Sequence, residues 1–379
     1  MGAIEIIPYD PGLKEEVAEL FCLLVGPDRT EARRYLEWKY EANPYFKEPI
    51  LYLARANGRL VGMRGLTGAR WEAGQGSAPV TMPYPDDHAV VEDQRGSGVA
   101  TLLMRALLDD TTARGFDYLC NLSAGLVTAL ASLAAGWKKA VAMEPVAVQH
   151  TPGAIGRLSR KVILQSEKLK RLSRRRGWGP YSADAFQRLD REAGGPGAER
   201  GATITVEASP RVEAMAALVG RLGHDGRIRH ERTPTYLAWR YRQPVHEYRF
   251  LYHETAGVLD GYLVVRRYRS VPVYSRHADI VDWEAVNDQV ADALLDRVTT
   301  WGRFWQLQSW TATLPDARVR KLQGSGFVPS DLERRARGLP GVLVIAPARR
   351  DTPESWLLNG RPLLASASWD VRQIYSMHG

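Results

Sequence analysis

Six residues, Tyr35-Leu36-Glu37-Trp38-Lys39-Tyr40, return as Tyr236-Leu237-Ala238-Trp239-Arg240-Tyr241, an offset of 201 positions. Their flanks return in the same order. A proline follows each (Pro44, Pro244), then a strand-like run (50–55 and 248–253), then a tight turn into another strand. The turns are Asn57-Gly58-Arg59-Leu60-Val61-Gly62 and Gly257-Val258-Leu259-Asp260-Gly261-Tyr262. Asn-Gly between two apolar runs is a hairpin signal. Further on, Gly136-Trp137 is matched by Gly326-Phe327. Landmarks kept in order over about 130 residues mark an internal duplication, so the chain holds two copies of one α/β domain. Its 379 residues agree, since a single hydrophobic core stops growing at about 250–300 residues.

The repeat divides the chain into a first domain, 1–150, a linker, 151–200, and a second domain with a C-terminal tail, 201–379. The linker reads from composition: Arg174-Arg175-Arg176-Gly177-Trp178-Gly179-Pro180 and Gly194-Gly195-Pro196-Gly197 are breakers with room for at most one basic helix. The tail contains Trp356 and Trp369, expected to pack against the domains. Within the first copy the order is strand, helix, helix, antiparallel strands, then strand, glycine turn, helix, strand, helix. Leu13, Val17, Leu20, Phe21 and Leu24 make one apolar stripe on the first helix. Trp38 sits on the second helix, and its recurrence as Trp239 reads as packing.

Charge and cysteine content narrow the function classes. The composition, 45% hydrophobic and 25% charged, excludes a wholly disordered chain. Between Arg157 and Arg176 nine basic residues face one acid, a net +8 that equals the net charge of the whole chain. Such a run is either a solvated connecting helix or a grip for a polyanion. Two cysteines, Cys22 and Cys120, supply neither a disulfide framework nor a four-thiolate zinc site, and they suit a reducing compartment. The opening MGAIEIIPYDPG lacks a basic start followed by an apolar core, and Ile6 stands where a myristoylation motif needs Ser or Thr. The most apolar stretch, 118–137, is interrupted by Asn121, Ser123, Thr128 and Ser132 and reads as strand plus helix. A cytoplasmic protein with no membrane span and no metal site is expected.

The segment that carries chemistry is Asp86-Asp87-His88-Ala89-Val90-Val91-Glu92-Asp93-Gln94-Arg95-Gly96-Ser97-Gly98-Val99-Ala100. A short apolar strand ends in a turn with two glycines, and a helix opens at once with Val99, Leu102, Leu103, Ala106 and Leu107 on one face. Exposed amides of the first helical turn, the helix dipole and glycine dihedrals together let the backbone wrap a phosphate, and Arg95 adds a cation.

Arg95-Gly96-Ser97-Gly98-Val99-Ala100 resembles the Arg/Gln-x-x-Gly-x-Gly/Ala signature of the GCN5-related N-acetyltransferase (GNAT) superfamily. The preceding 88–93 resembles its fourth strand, and Gly136-Trp137 its closing Gly-Phe. The resemblance covers about residues 3–150 and, through the repeat, 203–345 more weakly. It implies an α/β (α+β) fold: two tandem GNAT-like domains, each a mixed, mainly antiparallel sheet flanked by helices. It implies acetyl-coenzyme A or another acyl-CoA as co-substrate, its pyrophosphate held by Arg95, Gly96, Ser97, Gly98, Val99 and Ala100. Its pantetheine arm would lie along the main chain of Ala89, Val90 and Val91.

Acyl transfer to an amine needs a general base. Asp87 and His88 are the candidates, and strand alternation allows only one of them to face the cleft. Glu92 is a weaker alternative because it would repel the phosphates. Where many family members carry a tyrosine proton donor, four residues before the closing glycine, this chain has Ser132, so the donor is unassigned. Where they often place a pantetheine-binding asparagine, this chain has Gly125, with Asn121 and Ser123 as substitutes nearby. The second copy reads Asp279-Ile280-Val281-Asp282-Trp283-Glu284-Ala285-Val286-Asn287-Asp288, with no glycine turn. One active site per chain is expected, the second copy serving as scaffold, substrate wall or dimer surface.

The resemblance therefore points to an acyltransferase acting on a small-molecule primary amine, as in secondary-metabolite or polysaccharide biosynthesis. Two other readings stay open. One is a transferase using aminoacyl-tRNA gripped by 157–176; the other is a non-catalytic binding or scaffold protein.

Overall fold

The hairpin at Asn57-Gly58 sets the frame, because both residues adopt the left-handed dihedrals (φ +52° and +76°) that match the twist of the strands they join. The computed structural model describes residues 3–74, 76–124, 126–149, 162–163, 165–166, 168–169, 171–172, 184–191, 201–269, 277–302, 304, 306–330, 342–347 and 352–376. In it β1 (Glu5–Pro8), β2 (Ile50–Ala56), β3 (Arg59–Ala73) and β4 (Val80–Val90) form an antiparallel sheet in that order. Burial along β2 and β3 does not alternate, because helices cover both faces. Against one face lie α1 (Lys14–Val25) and α2 (Arg29–Leu36); against the other, α3 (Val99–Ala113) sets Val99 and Leu103 on Ala54 and Val61. β5 (Tyr118–Ala124), α4 (Leu126–Ala134) and β6 (Lys138–Ala142) follow, and the strand Val342–Pro347 pairs antiparallel with both β5 and β6.

The described chain gathers into two compact units whose segments interleave. The first comprises 1–142, 225–245 and 341–370; the second comprises 143–224, 246–340 and 371–379. In the second, a seven-stranded sheet runs in the order 328–329, 145–148, 306–310, 277–285, 258–268, 246–255, 202–207. Its core is built by Trp283, Leu294, Leu295, Val298, Phe304 and Leu307. The duplicated closing motif is a duplicated structure. Gly136 and Gly326 both have φ near +90° (+90° and +85°), and the amides of Trp137 and Phe327 bond back to Ser132 O and Leu322 O at 3.0 and 3.1 Å. Each glycine ends a helix by turning left-handed where a side chain would be strained.

The repeated hexapeptide explains itself in the first unit, where the helix Pro234–Arg240 brings Trp239 against Trp38. The indoles stack at 5.1 Å between centroids with 13° between planes. Trp38 Nε1 donates to Trp239 O at 2.7 Å, and Trp239 Nε1 donates to Trp38 O at 2.8 Å. A buried indole N–H needs an acceptor, and each copy supplies the other's. The turn after α2 widens around this contact, Ala42 N–H bonding to Glu37 O at 2.8 Å.

The tail tryptophans pack as expected within the same unit. Trp369 is fully buried edge-on to Trp71 at 5.3 Å, and Lys138 Nζ lies 4.0 Å over the Trp356 ring. Of the basic run, only Lys168 and Arg171 fall among the described residues, both exposed; Arg157, Arg160, Lys161, Lys170 and Arg174–Arg176 lie outside them. No helix among the described residues is long and apolar enough to cross a membrane.

Trp38→Ala and Trp239→Ala should each lower the unfolding free energy by roughly 3–5 kcal/mol, and the double variant by clearly less than the sum, because the two residues share one contact. Denaturant unfolding of the four proteins checks this; additive losses would mean that the pair is not coupled.

Candidate active site

β4 carries an irregularity at the position that decides the site. Asp86 faces Gly65 and Ala89 faces Met63 across the ladder, so Asp87 and His88 together oppose the single Arg64. Asp87 takes φ +48°. Such a bulge adds a residue, bends its strand and re-aims the side chains on either side.

Asp87 turns inward. Its carboxylate is fully buried, 2.8 Å from Lys39 Nζ, and accepts from Tyr40 Oη at 2.7 Å and Tyr35 Oη at 3.3 Å. Lys39, also fully buried, reaches Asp86 Oδ2 at 2.6 Å and donates to Tyr35 Oη at 2.9 Å. Burial alone would drive the ammonium to lose its proton, but Asp86 and Asp87 outweigh it and the Lys39 pKa is raised. Burial, then Asp87, pushes both tyrosine hydroxyls well above their ordinary value. Tyr40 reaches this cluster because position 65 is glycine; a Cβ there would stand 2.1 Å from Tyr40 Oη. Of the two base candidates, Asp87 is thus enclosed in packing, and solvent does not reach its carboxylate.

His88 turns outward and lines a cleft of about 510 Å³, together with Ala89, Val90, Gln94, Arg95, Gly96, Gly98, Val99, Ala100, Thr101, Leu23 and Leu24. Burial of the ring and then the charge of Arg64 lower its pKa from 6.5 to about 4. The residue is open to solvent, which screens part of that shift, but the direction keeps the imidazole neutral at pH 7. At the other end Gly96 and Gly98 are left-handed, φ +80° and +90°, and a Cβ built on either meets nothing within 4 Å. Gly98 caps α3 without a side chain, so the cap offers the amides of Val99 and Ala100 at the cleft no side-chain acceptor, while Thr101 N–H bonds to Gly98 O at 3.1 Å.

The long wall is main chain. Val91 N–H bonds to Val61 O at 3.0 Å across β3. Strand alternation therefore aims the N–H and C=O of Val90 the other way, toward β5, and those of Ala89 back to β3. β4 and β5 belong to different sheets. Asn121 Nδ2 reaches Pro85 O at 3.4 Å, a side chain bridging the gap that backbone pairing leaves.

The remaining expected positions divide. Ser97 spends its hydroxyl on Gln94 O at 2.7 Å, shaping the turn. Neither it nor Val91 lines the cleft. Ser132 lies in the last turns of α4 and is not a lining residue either. Glu92 is exposed in the short helical turn Glu92–Gln94. Gly125 and the side chain of Ser123 lie outside the described residues. Four lining residues had no motif to announce them: Gln94, Thr101, Leu23 and Leu24. Leu24 was expected in the α1 core stripe; it is 39% exposed and Leu23 55%, because the last turn of α1 runs past the sheet to the cleft. Among the described residues no cluster of three or more His, Cys, Asp or Glu could hold a metal.

The sequence of residues 14–131 matches the acetyltransferase (GNAT) family. Residues 14–131 form a GNAT domain. Solved structures share its fold at low identity. A GCN5-related N-acetyltransferase from Anabaena variabilis ATCC 29413 is 9% identical over 92% of this chain and 73% of its own, with a TM-score of 0.54. A tandem GNAT protein from the clavulanic acid biosynthesis pathway is 14% identical over 92% of this chain and 100% of its own, with a TM-score of 0.52. A probable N-acyltransferase from Enterococcus faecalis V583 is 12% identical over 91% and 71%, with a TM-score of 0.51. No curated protein matches the sequence.

In the second unit the corresponding place is closed. Eight residues separate β4 from α3 in the GNAT domain, but only Val286 and Asn287 separate strand His277–Ala285 from helix Asp288–Gly302. The Asn287 side chain accepts from Val290 N–H at 2.9 Å, so a protein oxygen caps the helix end that would face a phosphate. The strand pairs with Gln306–Trp310 only through His277–Asp279. Beyond that point the chain's own tail enters. Val371 N–H and C=O both bond to the Thr313 hydroxyl at 2.9 Å, and Arg372 donates to Trp283 O at 2.6 Å and pairs with Glu284 at 3.1 Å. About 20 Å³ is left open there.

Proposed function

We propose that the first unit is an N-acyltransferase that moves an acetyl or other short acyl group from coenzyme A to a primary amine of a small molecule, with one active site per chain. The observation that carries this reading is the cleft itself. It joins open first-turn amides beside two left-handed glycines to an unpaired stretch of β4 and ends at a neutral histidine. A pyrophosphate needs the first feature, an extended amide-bearing arm the second, and an amine losing a proton the third. The clavulanic acid pathway protein, alike in fold, suits a small-molecule acceptor. Two free cysteines, Cys22 and Cys120, suit the reducing cytoplasm.

Gly96, Gly98, Val99 and Ala100 would hold the diphosphate through main-chain N–H groups, with Arg95 as the adjacent cation. The Val90 N–H and C=O would pair with the amides of the pantetheine arm. The acyl-CoA supplies a thioester carbonyl and a thiolate leaving group stable enough to depart without a strong acid, which suits a cleft that no tyrosine lines among the described residues. His88, uncharged at neutral pH, accepts the proton of the attacking amine directly or through a water, and the open cleft mouth lets solvent take it away. Leu23 and Leu24 add an apolar surface to the same cleft.

Acetyl-CoA should raise the melting temperature of the wild-type protein, and Gly98→Glu, which forces a side chain and a negative charge onto a left-handed cap, should abolish that shift while leaving the unliganded melting temperature within a few degrees. Retained binding would remove the amide cradle from the account. His88→Ala should lower kcat by roughly 10²–10⁴-fold. In the wild type the acid limb of kcat/KM should fall below the 6.5 of an ordinary histidine, toward about 4, because the imidazole acts unprotonated. An acid limb at or above 6.5 that is unchanged in His88→Ala would exclude His88 as the base.

A further inference from the structure

Lys39 lies one helical turn beyond Tyr35 on the repeated hexapeptide, makes no contact with the cleft, and is buried completely. A lysine so placed is costly unless its partners compensate, and its partners are the two carboxylates immediately before His88. Asp86 and Asp87 lie 2.6 and 2.8 Å from the same Nζ atom. Neighbouring strand residues ordinarily point to opposite faces. Holding both carboxylates on one cation is possible here because the chain bulges and Asp87 goes left-handed, at φ +48°. An aspartate in that region is locally strained and persists there only where its surroundings impose it.

We propose that Lys39 is a positioning residue for acyl transfer: by drawing Asp86 and Asp87 onto one side of β4 it fixes the bulge that turns His88 into the cleft. This rests on the function proposed above. The same pull has a second consequence on the strand. The bulge restores the ladder at Ala89 opposite Met63, and so sets the phase in which Val90, rather than Ala89, shows its main-chain groups to the gap. Tyr35 and Tyr40 complete the clamp from the same turn of chain, each with its hydroxyl on Asp87. The phosphate turn lies beyond the clamp and is held separately by α3, whose Val99 and Leu103 are locked in the core. Loosening the clamp should therefore disturb the base more than the grip on the coenzyme.

The test uses the 379-residue chain as wild type, Lys39→Met, Lys39→Arg and Asp86→Asn, with acetyl-CoA and n-butylamine as probes and thiol release as the readout. A second readout, in the unliganded protein, is the His88 imidazole signal in a proton–nitrogen NMR spectrum. Lys39→Met should lower kcat at least tenfold while the KM for acetyl-CoA stays within twofold, and should shift or broaden the His88 signal. Lys39→Arg, which keeps the charge, should recover to within threefold of wild type. Asp86→Asn retains the Lys39–Asp87 pair and serves if Lys39→Met does not fold; it should give the same pattern at a smaller size. Leu295→Ala, a core truncation in the second unit, controls for general loss of stability and should leave the His88 signal in place. An unmoved His88 signal in Lys39→Met or in Asp86→Asn, or a fall in kcat matched by an equal rise in KM, would overturn the proposal. If the wild type transfers no acetyl group to the amine, the functional reading fails on that arm, while the NMR arm still decides whether Lys39 positions His88.

Discussion

A strand bonded on one side only is the constraint around which the first unit is organised. β4 pairs with β3 on both sides of its bulge yet leaves the main-chain groups of Val90 turned toward β5 without a ladder to join. Unpaired backbone is expensive in a dry interior, so the edge must face water or a ligand, and here it faces the cleft. The rest of the unit keeps that edge open. The bulge at Asp87 bends the strand, Asn121 spans the gap with a side chain, and the three-stranded sheet beyond is completed by the distant strand Val342–Pro347. Without such props β5 would be free to close on β4.

The second unit shows the other resolution of the same constraint. Its strand His277–Ala285 also parts from its neighbour, but the side chains of Arg318 and of Arg372 in the tail donate to Trp283 O, and Asn287 caps the following helix. One architecture thus appears twice, once with its polar edge and helix end open and once with both satisfied by protein atoms. What survives of the duplication is packing: the reciprocal Trp38–Trp239 bonds require one tryptophan from each copy.

The parts of this arrangement that were legible in the sequence are those set by local chemistry. Gly96 and Gly98 before an apolar helical stripe permit a left-handed turn and leave the helix end without a side-chain cap, and the absence of glycine from 283–288 removes that freedom. Strand alternation required that only one of Asp87 and His88 face the cleft, but it could not say which. That choice depends on Lys39, which meets Asp86 across 47 residues of sequence, and on a bulge with no signature of its own. For the same reason Leu24 fitted a helical stripe yet lies at the cleft: periodicity gives the face of a helix, not where the sheet beneath it ends. The exchange of segments between the units, with 225–245 and 341–370 joining the first, is likewise a matter of long-range pairing that no local pattern records.

Backbone hydrogen–deuterium exchange with and without acetyl-CoA tests the central claim most directly, because the account assigns the work to main-chain amides that no side-chain substitution removes. Added acetyl-CoA should slow exchange at Val90 and at Gly96–Ala100 and leave 282–290 unchanged. Protection confined to 282–290, or none at the glycine turn at saturating acetyl-CoA, would contradict it.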